Sequence, residues 1–163
     1  MRILSRSGAF MIFCNWFMGW TDSHLHQFIA KGEIYSVPDE DIDDLFGMSA
    51  KNENKNKLSD VLWFEKDFMM YEYDFGDGWE HKITLGKRVP FDSAIKIPSC
   101  IKGKRACPPE DCGGIWGYHD LIEIIHDKSH PEHEETMEWF GENFDPELFD
   151  LTEVNNLFQG AIR

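Results

Sequence analysis

Apolar residues recur with a period of two in some stretches of the chain and near 3.6 in others, so strands and helices are both expected. The clearest period-two stretch is FMMYEYDFGDGWEHKITL, residues 68–85, where two β-rich runs flank Gly76-Asp77-Gly78. That is the signature of a hairpin. A three-residue loop with Gly78 in the left-handed conformation places Phe75 beside Trp79, Tyr73 opposite His81 and Glu72 opposite Lys82. Tyr71, Tyr73, Phe75, Trp79, His81 and Ile83 then share one face, expected to be buried, while Glu72, Asp74, Glu80 and Lys82 share the other.

The rest of the pattern surrounds that hairpin. Residues 8–20 carry Phe10, Phe13, Phe17 and Trp20 three or four apart, which predicts an amphipathic helix ending near Gly19. SHLHQFI, residues 23–29, alternates as a half-buried strand, and Lys31-Gly32 turns it into a second strand over 33–37. Residues 49–57 (SAKNENKNK) are polar and predict a surface loop, followed by a short helix over 59–63. Residues 97–114 contain Pro98, Pro108 and Pro109, and the paired prolines exclude a regular element. Helix is expected again from near Tyr118, after Pro131 with Glu132, Glu134 and Glu135 in its first turn, and over 152–158 with Thr152 as cap. In that last helix Val154, Leu157 and Phe158 are expected to face inward. The predicted fold is α+β: a single domain over residues 1–163, a mainly antiparallel sheet, and helices packed on one side.

Composition narrows the function classes. The 163 residues include 30 acidic and 16 basic side chains, a formal charge of −14, which repels a nucleic-acid backbone or an anionic membrane. Lys96, Lys102, Lys104 and Arg105 make the one dense basic patch. Arg2 and Arg6 ahead of an apolar run imitate an export signal, but Asn15 interrupts the run and no small-residue cleavage site follows. The expectation is therefore a cytoplasmic protein with no membrane partner, in which Cys14, Cys100, Cys107 and Cys112 stay reduced.

Four strings in order, GWTDSHLHQF, YEYDFGDGWEHKITL, CIKGKRACPPEDCGGIWGY and HPEHEETMEWFGENFDPELFDLTEVN, resemble the Ri-plasmid open-reading-frame-three-like family. Some of its members carry labels such as insertion-element passenger or resolvase. The resemblance implies no defined enzyme class. Members usually begin with an extended strand and a Trp-Arg-Arg segment, which this chain lacks, so one sheet edge is expected to be open and available for homodimer formation.

Several residue sets could carry chemistry. His24 and His26 alternate along a strand and so share a face, with Asp74, Asp77 or His81 as a third ligand or a base; they could equally line a wet sheet surface. Cys100, Cys107 and Cys112, with His119 or His130 as a fourth ligand, could hold zinc, although their spacing departs from paired C-x2-C knuckles, and buried thiols also serve as small hydrophobes. Glu110, Asp111, Trp116 and Tyr118 in the Pro/Gly-rich loop could contact a ligand or form a rigid lid. His126, His130 and His133 read as a solvated face. Asp39 to Asp44 resembles the start of a calcium loop but lacks Gly at the sixth position and Glu at the twelfth. No nucleotide, hydrolase-elbow or zinc-protease motif is present in the sequence. The leading expectation is a non-catalytic binding module without a cofactor, connected with plasmid or mobile-element biology. The alternatives are a metal-dependent hydrolase using His24 and His26, and a DNA-associated protein.

Overall fold

In the computed structural model, the described residues are 14, 15, 17–38, 50–90, 92, 94, 97–141 and 144–161, side chains being described only as far as 157 in the last segment. The chain divides into two compact units, Met1–Cys14 with Asp22–Ala94, and Asn15–Thr21 with Ile95–Arg163. The expected α+β class is the one observed.

The first unit is built on a five-stranded sheet: β1 (His26–Ala30), β2 (Glu33–Ser36), β3 (Lys51–Asn52), β4 (Phe68–Tyr73) and β5 (Trp79–Thr84), in spatial order β3-β2-β1-β4-β5. Three pairings are antiparallel, and β2 with β3 is parallel. Lys31 and Gly32, both at positive φ (53° and 80°), make the tight turn between β1 and β2, whose primed geometry matches the twist of the strands. Register places Phe28 between Tyr35 and Tyr71, and Tyr71 between Phe28 and His81. One sheet face thus collects Phe28, Ala30, Met69, Tyr71, Tyr73 and Trp79, all buried. Phe28 and Tyr71 rings lie 4.9 Å apart and Tyr71 and Tyr73 rings 6.2 Å apart, a continuous aromatic layer. The opposite face carries Glu72, Glu80 and Lys82, as expected from the alternation.

The hairpin departs from the expected register by two residues. Tyr73 faces Trp79, Tyr71 faces His81 and Met70 faces Lys82, so the loop has five residues, 74–78, rather than three. Asp74 is the cause. Its backbone adopts φ 53°, its N–H donates to the Leu25 carbonyl (2.9 Å), and its Oδ1 accepts from the N–H groups of Gly76 (3.0 Å) and Asp77 (3.3 Å). Such an Asx cap starts the turn at its own residue. The Gly78 N–H closes it on the Asp74 carbonyl at 2.6 Å. Phe75 consequently sits in the turn, 46% exposed, not on the buried face. Because the shift is by two, every other ring keeps its predicted face.

Residues 50–57 also differ from expectation. Instead of a loop they form β3 and a 3-10 turn over Glu53–Lys55, capped by the Asn52 side chain, which accepts from the Asn54 N–H at 2.9 Å. Glu53 is 1% exposed. A one-turn helix, α1 (Leu58–Val61), follows and buries Val61.

The second unit contains α2 (Gly114–His126), α3 (His133–Phe140) and α4 (Leu151–Ala161). Residues 97–113 form no helix or strand, as the prolines predicted. Residues 15, 17 and 18 are helical, and the helix ends where the Trp20 N–H donates to the Asn15 carbonyl (2.8 Å) across Gly19, at φ 76°. That six-to-one bond needs a left-handed residue, which glycine supplies without strain. The cap of α4 is Asp150 rather than Thr152: its Oδ1 accepts from the N–H groups of Thr152 (2.8 Å) and Glu153 (2.9 Å). Leu157 is 49% exposed, against the expectation of an inward position. The Phe10–Phe13 part of the first helix and the acidic segment at 39–44 lie outside the described residues, as does the Phe158 side chain.

Candidate functional site

His24 and His26 stand at one end of the sheet, and of these two only His26 lies in a strand. His24 stands in the bend before β1. Its Nδ1 lies 3.5 Å from Asp74 Oδ2, with side-chain exposures of 25% and 13%. The His24 ring meets Tyr73 edge-on at 5.7 Å, and the Tyr73 hydroxyl accepts from the Ser23 N–H at 3.1 Å. The β1–β4 pairing brings these groups together: the Asp74 N–H to Leu25 carbonyl bond continues the ladder one step past His26–Tyr73.

Two residues along, His26 Nε2 lies 3.1 Å from Glu53 Oε2, with side-chain exposures of 7% and 1%. The ring and the carboxylate thus share a direct side-chain hydrogen bond. The His26 ring packs against Phe28 and Tyr71, at 6.0 and 5.9 Å between centroids. Sequence reasoning missed Glu53. It lies in an asparagine- and lysine-rich stretch that carries no burial signal, and only Asn52 as a capping residue hints at local structure.

The other sheet candidates fall elsewhere. His81 stands beyond Tyr71, 5.7 Å from its ring, so Tyr71 separates it from His26. Burial holds the His81 pKa below its usual value, with a hydrogen bond to the Tyr71 backbone acting in the opposite sense. Asp77 is used in the hairpin turn, its N–H donating to Asp74. The sheet therefore presents two separate His–carboxylate pairs, not a cluster that includes His81. Such a pair orients an imidazole for proton transfer or metal binding. Here Asp74 is simultaneously the turn cap, and Glu53 and His26 are packed in the core.

In the second unit, Cys112 is buried and Cys107 half-buried, and desolvation pushes the Cys107 thiol pKa up to about 12. A thiol so poised is a poor thiolate donor. The Cys100 Sγ–H donates to the Lys102 carbonyl at 3.4 Å. His119 is exposed on α2, 3.7 Å from Glu123 one turn on. Among the described residues, Cys100, Cys107, Cys112 and His119 do not gather their ligand atoms into one cluster. Glu110 Oε2 accepts from the backbone N–H and hydroxyl of Thr21, at 2.9 and 2.7 Å, while the Pro108 carbonyl accepts from the Trp20 indole at 2.8 Å. These bonds give the Pro-rich loop a structural task. Asp111 is exposed with φ 59°, Trp116 is 82% exposed on α2, and Tyr118 is half-buried, its pKa raised chiefly by burial. His133, expected on a solvated face, is half-buried, its Nδ1 3.0 Å from the Ile124 carbonyl.

The same unit has a cleft of about 560 Å³ that is open to solvent, several of its lining side chains being exposed. Phe17, Phe144, Leu148 and Phe149 contribute apolar wall, and Lys102, Lys104 and Arg105 contribute charge. Its two sides are pinned together. Asn155 binds the Cys100 backbone through both amide atoms (2.8 and 3.0 Å), and the Ala106 N–H donates to the Pro146 carbonyl at 3.0 Å. Gly103 lies so close to the Phe149 ring that an added Cβ would sit 2.2 Å from it. The sequence marked the basic patch but not the cavity it borders.

Residues 11–153 match the plasmid pRiA4b ORF-3-like protein family, a span that includes every strand and the candidate residues above. The chain belongs to that family. A relative in it, the uncharacterized protein y4hQ of Sinorhizobium fredii (strain NBRC 101917 / NGR234), is 36% identical over 139 residues, which is 85% of this chain and 70% of the relative. A solved structure, the protein of unknown function MM3350 from Methanosarcina mazei Go1, superposes with a TM-score of 0.78 at 34% identity and covers 93% of this chain and 84% of its own. Neither the name of the relative nor that of the solved structure states a reaction or a ligand. Among the described residues, no helix is long and apolar enough to cross a membrane.

Proposed function

We propose that this chain is a non-catalytic binding module for a small ligand, housed in its second unit. The observation that carries the reading is the 560 Å³ cavity walled by residues pinned through Asn155 and Ala106, set against candidate acid–base groups that the fold already uses. Asp74 satisfies turn amides, and Glu53 and His26 satisfy each other away from water. A preformed, mostly apolar cavity with a few polar groups is what ligand recognition requires. The link to plasmid or mobile-element biology is carried by the family's name alone.

A second reading, a metal-dependent hydrolase, is favoured by one observation: the His24–Asp74 pair at 3.5 Å is partly open to water. Metal analysis of purified protein, with turnover of activated phosphate and carboxylate esters measured on the same sample, separates the two. The binding module predicts substoichiometric metal and no turnover above buffer. Equimolar zinc or another transition metal that is lost in His24→Ala, accompanied by ester hydrolysis, would instead establish the enzyme.

A further inference from the structure

The ligand class follows from the charges around the cavity, and this step rests on the binding-module reading. The chain is strongly acidic, −14 overall, yet Lys102, Lys104 and Arg105 all border one apolar space. Arg105 is engaged: its Nε donates to Glu147, 3.1 Å from Oε1. Lys102 and Lys104 have no ion-pair partner among the described residues.

Three acidic side chains also border the cavity, and two of them are committed to backbone amides. Asp145 Oδ1 accepts from the Glu147 N–H at 2.9 Å, and Asp150 caps α4, where the helix dipole also offsets its charge. Three carboxylates and three cations thus border the cavity, and Lys102 and Lys104 are the two of those cations with no carboxylate within ion-pair distance among the described residues. Leu148, Phe149 and Leu157 supply apolar lining, with the Phe149 ring packed on Gly103 between the two lysines. Both lysines are exposed and water solvates them without a guest, so the cavity does not need an anion; an anion seated on the apolar lining gains their attraction, which a neutral guest does not.

We infer that the cavity takes a small amphiphilic anion: one acidic group, such as a carboxylate or sulfonate, met by Lys102 and Lys104, and an aliphatic or aromatic body laid against Leu148, Phe149 and Leu157. Lysine suits this task as a point charge on a flexible stem that follows acids of different shape.

Two fluorescent probes that share one apolar body test it: 8-anilinonaphthalene-1-sulfonate and its uncharged counterpart N-phenyl-1-naphthylamine. The full-length protein is expected to bind the sulfonate saturably at one site. Affinity should fall roughly tenfold in Lys102→Gln/Lys104→Gln, and also when salt is raised from about 0.05 to about 0.5 M, because exposed charges are screened. The neutral probe should bind more weakly than the sulfonate and ignore both changes. A second variant, Leu157→Glu, places a negative charge on a half-exposed wall position and should abolish sulfonate binding. Equal binding of the two probes, or a sulfonate affinity unchanged in the lysine variant, would overturn the anion assignment while leaving a binding module. Failure of both probes to bind would overturn the anion assignment and remove the support for the cavity as the site, whereas bound metal with ester turnover contradicts only the module reading.

Discussion

Glu53 and His26 face each other at 3.1 Å with both side chains almost wholly removed from water, one from a 3-10 turn and the other from the first residue of β1. Removing one member of such a pair leaves the other polar group buried without its partner. Glu53→Ala is therefore expected to lose about 3 kcal/mol of unfolding free energy, and Glu53→Gln, which keeps an acceptor, about 1 kcal/mol. Urea denaturation of these variants, and of His26→Leu, Glu53→Leu and His26→Leu/Glu53→Leu as a closed cycle, gives the coupling. A double variant less destabilised than Glu53→Ala alone is the expected result.

Asp74 separates a turn-making role from a catalytic one. Its left-handed backbone and its acceptor Oδ1 are both retained by asparagine, which tolerates that conformation. Asp74→Asn should cost less than about 0.5 kcal/mol, whereas Asp74→Ala should cost about 1 to 2 kcal/mol, by analogy with the loss of side-chain caps. Equal losses in the two variants would show that the cap does not hold the hairpin.

His81 makes stability depend on pH. Burial lowers its folded pKa below the ordinary 6.5, so below that pH the unfolded chain takes up the proton first. The contribution is present above about pH 6.5 and is lost as pH falls toward and through the folded value. Melting temperature should thus be level at mildly alkaline pH and decline below neutrality, before Asp67 and Asp127, whose pKa values backbone and Ser129 hydrogen bonds lower, begin to protonate. In His81→Phe the decline between about pH 6.5 and pH 5 should shrink; an unchanged profile would assign it to other groups.

The net charge of −14 predicts no retardation of duplex DNA in a gel-shift assay at about 0.05 M salt. A shift that disappears in Lys102→Gln/Lys104→Gln would redirect the basic patch from a small anion to a phosphate backbone.

What the sequence made legible follows from the range of the interactions involved. The two hairpins, their buried faces and the irregular Pro-rich loop depend on alternation and turn residues close in sequence, and they were readable. The hairpin register was misread because Asp74, not the Gly-Asp-Gly core, starts the turn through its own side chain. Asp150, two positions ahead of the expected Thr152, captured the α4 cap by the same kind of bond. Glu53 was invisible because its partner lies 27 residues away, and no local pattern announces a carboxylate that a distant histidine buries. The cavity likewise depends on contacts such as Cys100 with Asn155, 55 positions apart. Lys102 and Lys104 could be seen as a patch, but the apolar residues that line the same cavity could not.

Mapping backbone amide shifts while titrating 8-anilinonaphthalene-1-sulfonate into labelled protein tests the account most directly, because it reports residue by residue where a ligand sits. Saturable changes concentrated at residues 100–108 and 144–157, with Leu25, His26 and Asp74 unmoved, are predicted. Changes centred on His24, Tyr73 and Asp74, with the cavity segments silent, would contradict it and return the site to the end of the sheet.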